Sequence, residues 1–193
     1  MVSKVRISLR LSLPGRRAIA SIGAAWAFVA SMITAGLRLV AAGFPNRSGR
    51  QARKITALTR VHEVASRLWL SRDLNHALDD ILAGAIELLG ADKGNIQVLD
   101  NEQCVLKIVA SQGFEQAFLN FFREVSTADS SACGRALRSG ARLVIEDIES
   151  DALFTYLRPV ARAAGFRAVQ STPIVSRAGA PLGMLSVGFF NTP

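Results

Sequence analysis

The chain has 193 residues, half of them hydrophobic, and a formal net charge of +8. Residues 1–62 hold eleven of the 23 basic residues and no carboxylate, whereas residues 63–193 hold 12 basic and 15 acidic residues. Because the excess positive charge lies in an N-terminal arm rather than on a folded face, composition argues against a nucleic-acid-binding domain.

The arm, residues 1–43, contains an uncharged run at residues 18–37, AIASIGAAWAFVASMITAGL. A helix of this length is about 30 Å long, which is the thickness of the hydrocarbon core of a bilayer. The run predicts a transmembrane helix; a cleaved signal peptide and an over-extended start of the reading frame are the alternatives. Residues 44–54 are polar and basic, as in a flexible linker beside an anionic membrane surface.

Two amphipathic helices are predicted to follow the linker. Residues 55–70 carry apolar side chains at helical spacing, and their near-heptad stripe favours dimerisation through this helix. Ser71 is the predicted N-cap of the second helix, and Gly90 is its predicted end.

Two antiparallel strands are predicted next, at residues 94–99 and 104–110, joined by a polar turn. In the first strand the alternation assigns Ile96 and Val98 to the buried side and the intervening Asn95 and Gln97 to the polar side. The later predicted elements are a short aromatic helix or loop at 114–122, a helix from Ser130 to Gly140 capped by Asp129, a strand at 143–145, a helical segment at 152–165 divided at Pro159, and strands at 168–175 and 181–190.

Helices, a hairpin, more helices and then closing strands indicate the α+β class, with helices packed on the faces of an antiparallel sheet. The residues at the joints, ADKG at 91–94 and SACGRA at 131–136, resemble those of a GAF domain, most closely the GAF domains of bacterial sensor histidine kinases. The resemblance covers about residues 55–191. It implies a sheet of about six strands and a small-molecule pocket between the sheet and the helices.

Residues on two closing strands and on the facing helices are candidates for lining that pocket, because small polar groups in an apolar cleft orient a ligand. Core packing is the competing interpretation. The candidates are Ser130, Ser131, Cys133, Phe154, Val169, Ser171, Met184 and Ser186.

Cys133 is the one candidate catalytic residue. It lies in the first turns of a helix, where the dipole can lower the pKa of a thiol. The resemblance extends to the GAF-type reductase of free methionine sulfoxide, in which a catalytic cysteine holds a similar place. However, residues 115–129 lack the resolving cysteines of that family, so a small buried residue is the favoured interpretation of Cys133.

The sequence identifies no cofactor and no metal site. His62, His76, Cys104 and Cys133 are too scattered for sensible ligand spacing, and neither cysteine has the neighbours of a bilin attachment site. The acidic turn at residues 146–151 is expected to be a solvated turn rather than a cation site. Two cysteines are also too few for a disulfide framework and suit a reducing compartment.

Together these features predict a non-enzymatic sensory or regulatory protein of bacterial signal transduction. Its expected regions are the arm (1–43), the linker (44–54) and a GAF domain (55–193). Its expected partners are a small-molecule ligand, a second copy of the chain, the membrane and a kinase, with the domain on the cytoplasmic side of the inner membrane or free in the cytoplasm. The alternatives are a redox enzyme using Cys133 and a truncated input module of a sensor histidine kinase.

Overall fold

A computed structural model of the protein describes residues 74–192. The predicted membrane helix at 18–37, the linker and the predicted helix at 55–70 lie outside these residues. Within residues 74–192, no helix has the length and apolar character needed to span a membrane.

The described part contains four α-helices, one 3-10 helix and six strands. In chain order they are α1 (Leu74–Leu89), β1 (Lys93–Asp100), β2 (Val105–Gln112), α2 (Gln116–Phe121), β3 (Glu124–Ser126), α3 (Ala132–Ser139), β4 (Leu143–Ile145), the 3-10 helix (Ala152–Leu157), α4 (Arg158–Ala163), β5 (Ala168–Val175) and β6 (Pro181–Phe189).

The six strands form one antiparallel sheet in the order β3-β2-β1-β6-β5-β4. The first and last long strands of the chain, β1 and β6, lie side by side at its centre and pair from Lys93 opposite Gly188 to Val98 opposite Gly183. This arrangement confirms the predicted α+β class and the expected number of strands.

The two faces of the sheet bury separate apolar clusters. On one face α1 packs through Leu78, Leu82 and Ile86 against Ile96 and Leu185. The opposite face is covered by α2, α3, the 3-10 helix and α4, whose apolar side chains surround the fully buried Met184. Since side chains alternate along a strand, the odd-numbered residues of β1 and β5 point to this second face.

Two predictions about the strands were wrong. The side of β1 that was predicted to face solvent is buried. Asn95 and Gln97 are only 4% and 1% exposed, because the helices of the second face cover them. The strand β3 was not predicted, since three residues carry too little periodicity to be recognised.

The helix predicted from Ser130 begins two residues later, at Ala132, and its N-cap is Ser131 rather than Asp129. The Ser131 hydroxyl accepts a hydrogen bond from the backbone N–H of Gly134. Asp129 instead supports this cap, because its carboxylate accepts the backbone N–H of Ser131 at 2.7 Å. The predicted end at Gly140 is confirmed: its φ of +64° closes the helix in the left-handed conformation.

Candidate functional site

A small cavity of about 30 Å³ lies between the second face of the sheet and the helices, and it is partly open to solvent. Its walls come from β1, β5 and β6 on one side and from α2, the start of α3 and the 3-10 helix on the other. The lining residues are Asn95, Gln97, Phe114, Phe118, Phe122, Ser131, Ala132, Cys133, Phe154, Phe166, Val169, Ser186, Val187 and Gly188.

Two amides of β1 form part of the sheet wall. The side-chain oxygens of Asn95 and Gln97 are fully buried and have no hydrogen-bond partner. The register between β1 and β2 shifts between Ile96 and Gln97, next to these amides, and such irregularities are frequent beside functional sites. A buried polar atom without a partner costs about 1–3 kcal/mol, so two of them on one strand require an explanation.

A cluster of three small polar side chains lies beside the amides. The Cys133 sulfur is 3.0 Å from the Ser186 hydroxyl oxygen and 3.6 Å from that of Ser171, and the two hydroxyls are 2.8 Å apart. Burial raises the pKa of the Cys133 thiol, although both hydrogen bonds act in the opposite direction. Desolvation therefore outweighs the favourable position near the helix N-terminus, and the thiol is held in its protonated form.

Phenylalanine rings form the outer wall. Phe114 stacks on Phe118 with ring centroids 3.9 Å apart, and Phe166 meets both rings edge-on at 6.2 and 6.1 Å. Phe122 is tilted against Phe118 at 4.7 Å, and Phe154 enters from the 3-10 helix with 2% exposure. The rings make this wall apolar.

The segment that carries Phe154, residues 146–167, is linked to α3 by one ion pair and held together by polar contacts within itself; we call it the lid. The Asp151 carboxylate caps the 3-10 helix by accepting hydrogen bonds from the backbone N–H groups of Leu153 and Phe154. It also accepts a hydrogen bond of 2.9 Å from the guanidinium group of Arg135 on α3. Arg158 donates to the backbone oxygens of Ile148 and Asp151.

Two further pairs in the lid are more exposed. Arg167 pairs with Asp147 at 3.0 Å, and Arg162 pairs with Glu149. Hydrogen bonds from the two guanidinium groups lower the pKa values of both carboxyl groups. Asp147 and Glu149 of the acidic turn are therefore ion-paired to arginines of the same segment. Among residues 74–192, no group of side chains has the arrangement of a metal site.

Among residues 74–192, no charged side chain lines the cavity. Lys93 at the start of β1 is buried, and its ammonium group donates to the backbone oxygen of Ala164. This group lies 4.8 Å from the ring centroid of Phe190 and 5.6 Å from that of Phe114. Burial lowers the pKa of Lys93, an effect that Asp92 and Glu115 oppose. Lys93 thus lies near the rings of Phe114 and Phe190 and is not among the described residues that line the cavity.

The structure brings most of the candidate residues together. Five of them line the cavity: Ser131, Cys133, Phe154, Val169 and Ser186. Ser171 lies just behind them, hydrogen-bonded to Ser186 and Cys133, and Met184 is fully buried in the adjoining core. Ser130 does not line the cavity.

The two amides and four of the five phenylalanine rings that line the cavity were not predicted from the sequence. Asn95 and Gln97 were assigned to solvent because alternation along β1 was interpreted as one buried and one exposed face. No local pattern signals their burial, because it depends on the position of β1 between β2 and β6, and a central strand covered on both faces tolerates no solvated side chain. For the rings at 114, 118 and 122, the four-residue spacing on a short helix was the signal.

Known structures share this fold at low sequence identity. The GAF domain of a phosphoenolpyruvate-protein phosphotransferase from Coxiella burnetii is 16% identical, with a TM-score of 0.60 over 70% of this chain and 79% of that one. A domain assigned to a two-component sensor histidine kinase of Sinorhizobium meliloti 1021 is 15% identical, with a TM-score of 0.52 over 64% and 77%.

The free methionine-R-sulfoxide reductase of Neisseria meningitidis, solved with its substrate, is also similar, at 16% identity and a TM-score of 0.53 over 68% of this chain and 71% of that one. At these identities the likeness concerns the fold alone. No curated protein sequence matches the chain.

The sequence also matches the family model described as "GAF domain" over residues 71–193, well over half of the chain. This match coincides with the six-stranded sheet and its covering helices, and it confirms the resemblance found in the joints ADKG and SACGRA. The chain therefore belongs to the GAF domain family.

Proposed function

We propose that this protein is a non-enzymatic sensory or regulatory GAF protein that binds a small molecule in the cavity between sheet and helices. The observation that carries the proposal is the partly open cavity itself, where phenylalanine rings surround the small polar side chains of Ser131, Cys133 and Ser186. A packed core without a ligand gains nothing from such groups, whereas a ligand site needs a few polar atoms in an apolar cleft.

Signalling by such a site requires two arrangements with different affinities for the ligand. The lid and α1 are the elements that a ligand would influence, because the lid closes the cavity with Phe154 and α1 packs on the other face of the same sheet. In our proposal α1 transmits the change to residues 55–70, which dimerise or contact a partner kinase, and residues 18–37 tether the protein to the inner membrane.

Co-purification of a ligand tests the proposal. We expect native mass spectrometry of the full chain, released from its host under non-denaturing conditions, to show a bound small molecule. Val169→Phe should abolish this binding, because Val169 lines the cavity and a ring at this position fills it. Val144→Phe, the same substitution at a position of β4 that is 39% exposed, should retain the ligand. A ligand-free chain, or equal ligand content in both folded variants, would contradict the proposal.

The alternative function is a thiol-dependent redox enzyme, and it is favoured by the position of Cys133 at the start of α3 and by the likeness to the methionine sulfoxide reductase fold. The raised pKa of the Cys133 thiol argues against it, because the thiolate is the nucleophile in such reactions.

Thiol labelling separates the two functions. We expect a maleimide to modify the exposed Cys104 of the native chain rapidly and Cys133 more slowly, because Cys133 is only partly exposed and the pKa of its thiol is raised. The Cys104→Ser variant isolates Cys133, and labelling in denaturant gives the reference rate. Intact-mass measurement over time reports both rates. Rapid labelling of Cys133 in the folded Cys104→Ser variant would favour the redox function.

A further inference from the structure

The wall of the cavity indicates which kind of chemical group can enter it. The cavity exposes almost only apolar surface, and five phenylalanine rings and Val169 contribute to its lining. We propose that the part of the ligand that enters the cavity is an uncharged apolar group, such as a short alkyl end, held by contact with the rings rather than by hydrogen bonds. This inference rests on the proposed function of the cavity as a ligand site.

The small polar side chains around the cavity are paired with other groups of the chain. The Cys133 thiol and the hydroxyls of Ser171 and Ser186 hydrogen-bond to one another. The Ser131 hydroxyl accepts a hydrogen bond from the backbone N–H of Gly134 at the start of α3. Each of these groups already has a partner within the chain, so none of them requires a polar ligand group.

The two amides of β1 do not change the apolar character of the cavity. The side-chain oxygens of Asn95 and Gln97 are fully buried, so they present no accessible acceptor to a group in the cavity. Within the described part of the chain, no charged side chain contributes to the lining either. An ion in the cavity would therefore lack a counter-charge, and burying an unpaired ion is very costly. An uncharged apolar group avoids this penalty.

Water competes poorly for a cavity of this kind. A buried water molecule is typically held by about two to four hydrogen bonds to polar groups that lack other partners, whereas the accessible polar groups here are paired. An apolar group that displaces weakly held water gains affinity, and its own transfer out of water is favourable. The driving force for entry is therefore the hydrophobic effect.

The volume of the cavity limits the entering group to about three heavy atoms. A water molecule needs about 10–15 Å³ of such space, so about 30 Å³ accommodates two or three water-sized groups. Because the cavity is partly open to solvent, the remainder of a larger ligand can stay outside it. Three heavy atoms alone limit the Kd to about 0.5 mM at the tightest, so the titrations must reach millimolar concentrations.

Three probes of the same number of heavy atoms test the inference: propane, which is apolar; ethanol, which has nearly the same shape but carries a hydroxyl; and formate, which is an anion. Each is titrated into the ¹³C-methyl-labelled full chain, with propane supplied under pressure. NMR follows the methyl signals of Ala132 and Val169, which line the cavity, and those of Val144, which is 39% exposed on β4.

We expect propane to shift the signals of Ala132 and Val169 but not those of Val144. The Kd of propane should be about tenfold lower than that of ethanol or formate, because the hydroxyl or the charge would be buried without a partner. Equal or tighter binding of ethanol or formate, or the absence of any shift with propane, would overturn the inference.

A hydroxyl placed on the cavity wall should reduce the preference for propane. Val169→Thr replaces a lining methyl group with a hydroxyl of nearly the same size, so we expect the Kd of propane to rise about tenfold and that of ethanol to rise less. Val144→Thr, the same substitution at an exposed position, is the matched control and should leave both Kd values unchanged. Ala132→Ser adds a hydroxyl to a second lining residue and is used if circular dichroism shows that Val169→Thr is unfolded. An unchanged preference for propane in a folded lining variant would place the binding elsewhere and overturn the inference.

The inference and the proposed function fail separately. A ligand that co-purifies with the full chain but has no apolar end would overturn the inference and support the proposed function. A chain that binds propane in the cavity but carries no ligand when released from its host would contradict the proposed function, while the preference of the cavity for apolar groups would stand.

Discussion

Replacing Gly134 with alanine should lower the free energy of unfolding by about 3 kcal/mol, because α3 packs directly on the backbone that precedes it. A Cβ atom at this position would lie 2.6 Å from the backbone oxygens of both Ser126 and Asp129. Backbone atoms cannot rotate away as a flexible side chain can, so β3 and its turn must separate from the helix. Since the cavity is lined by the first turn of α3, ligand binding should weaken as well.

Urea unfolding of the full chain, followed by circular dichroism, measures this effect. Gly140→Ala is the control, because Gly140 ends the same helix with a φ of +64° and a Cβ atom added there would have no other atom within 4 Å. Its substitution should cost only about 1 kcal/mol, from the left-handed backbone. Intrinsic propensity alone favours alanine over glycine within a helix by about 1 kcal/mol. A Gly134→Ala variant that is more stable than the parent would therefore contradict the close packing.

Removing the carboxylate of Asp151 should destabilise the protein by about 2–3 kcal/mol and release the lid. Asp151 caps the 3-10 helix and pairs with Arg135, whose side chain is 16% exposed. Loss of an N-cap costs about 1 kcal/mol, and Arg135 is left partly buried without its counter-charge. Because Phe154 follows the cap, Asp151→Ala should also expose the cavity to solvent.

A substitution series separates the two roles of Asp151. Asparagine is an equally good cap, so Asp151→Asn should recover about 1 kcal/mol of the loss seen with alanine. Glu149→Gln is the control for ion pairing in the same lid: its partner Arg162 is 62% exposed, and such pairs contribute little. Denaturant midpoints give the stabilities, and hydrogen exchange at the amides of Leu153 and Phe154 reports opening of the lid. Equal stability of Asp151→Ala and the parent would show that the cap and the ion pair of Asp151 do not stabilise the protein.

Several elements of the fold follow from local sequence patterns, whereas the site depends on tertiary packing. The strands at 143–145 and 168–175 were predicted with the bounds that the structure has, and the division of residues 152–165 at Pro159 was predicted too. Each of these features follows from residues adjacent in sequence: apolar runs, turn residues and a proline that cannot continue a helix. The GAF resemblance rested on the same kind of local signal.

The site depends on contacts that no local pattern records. The sequence by itself determined the α+β class, the family and five of the residues around the cavity, because hydrophobic periodicity and joint motifs are local properties. Only the tertiary structure decided that Asn95 and Gln97 are buried, since this depends on β1 pairing with β6, about ninety residues away, beneath helices on both faces. It also decided that Cys133 is a desolvated thiol with a raised pKa, because burial outweighs the helix dipole that the sequence suggested.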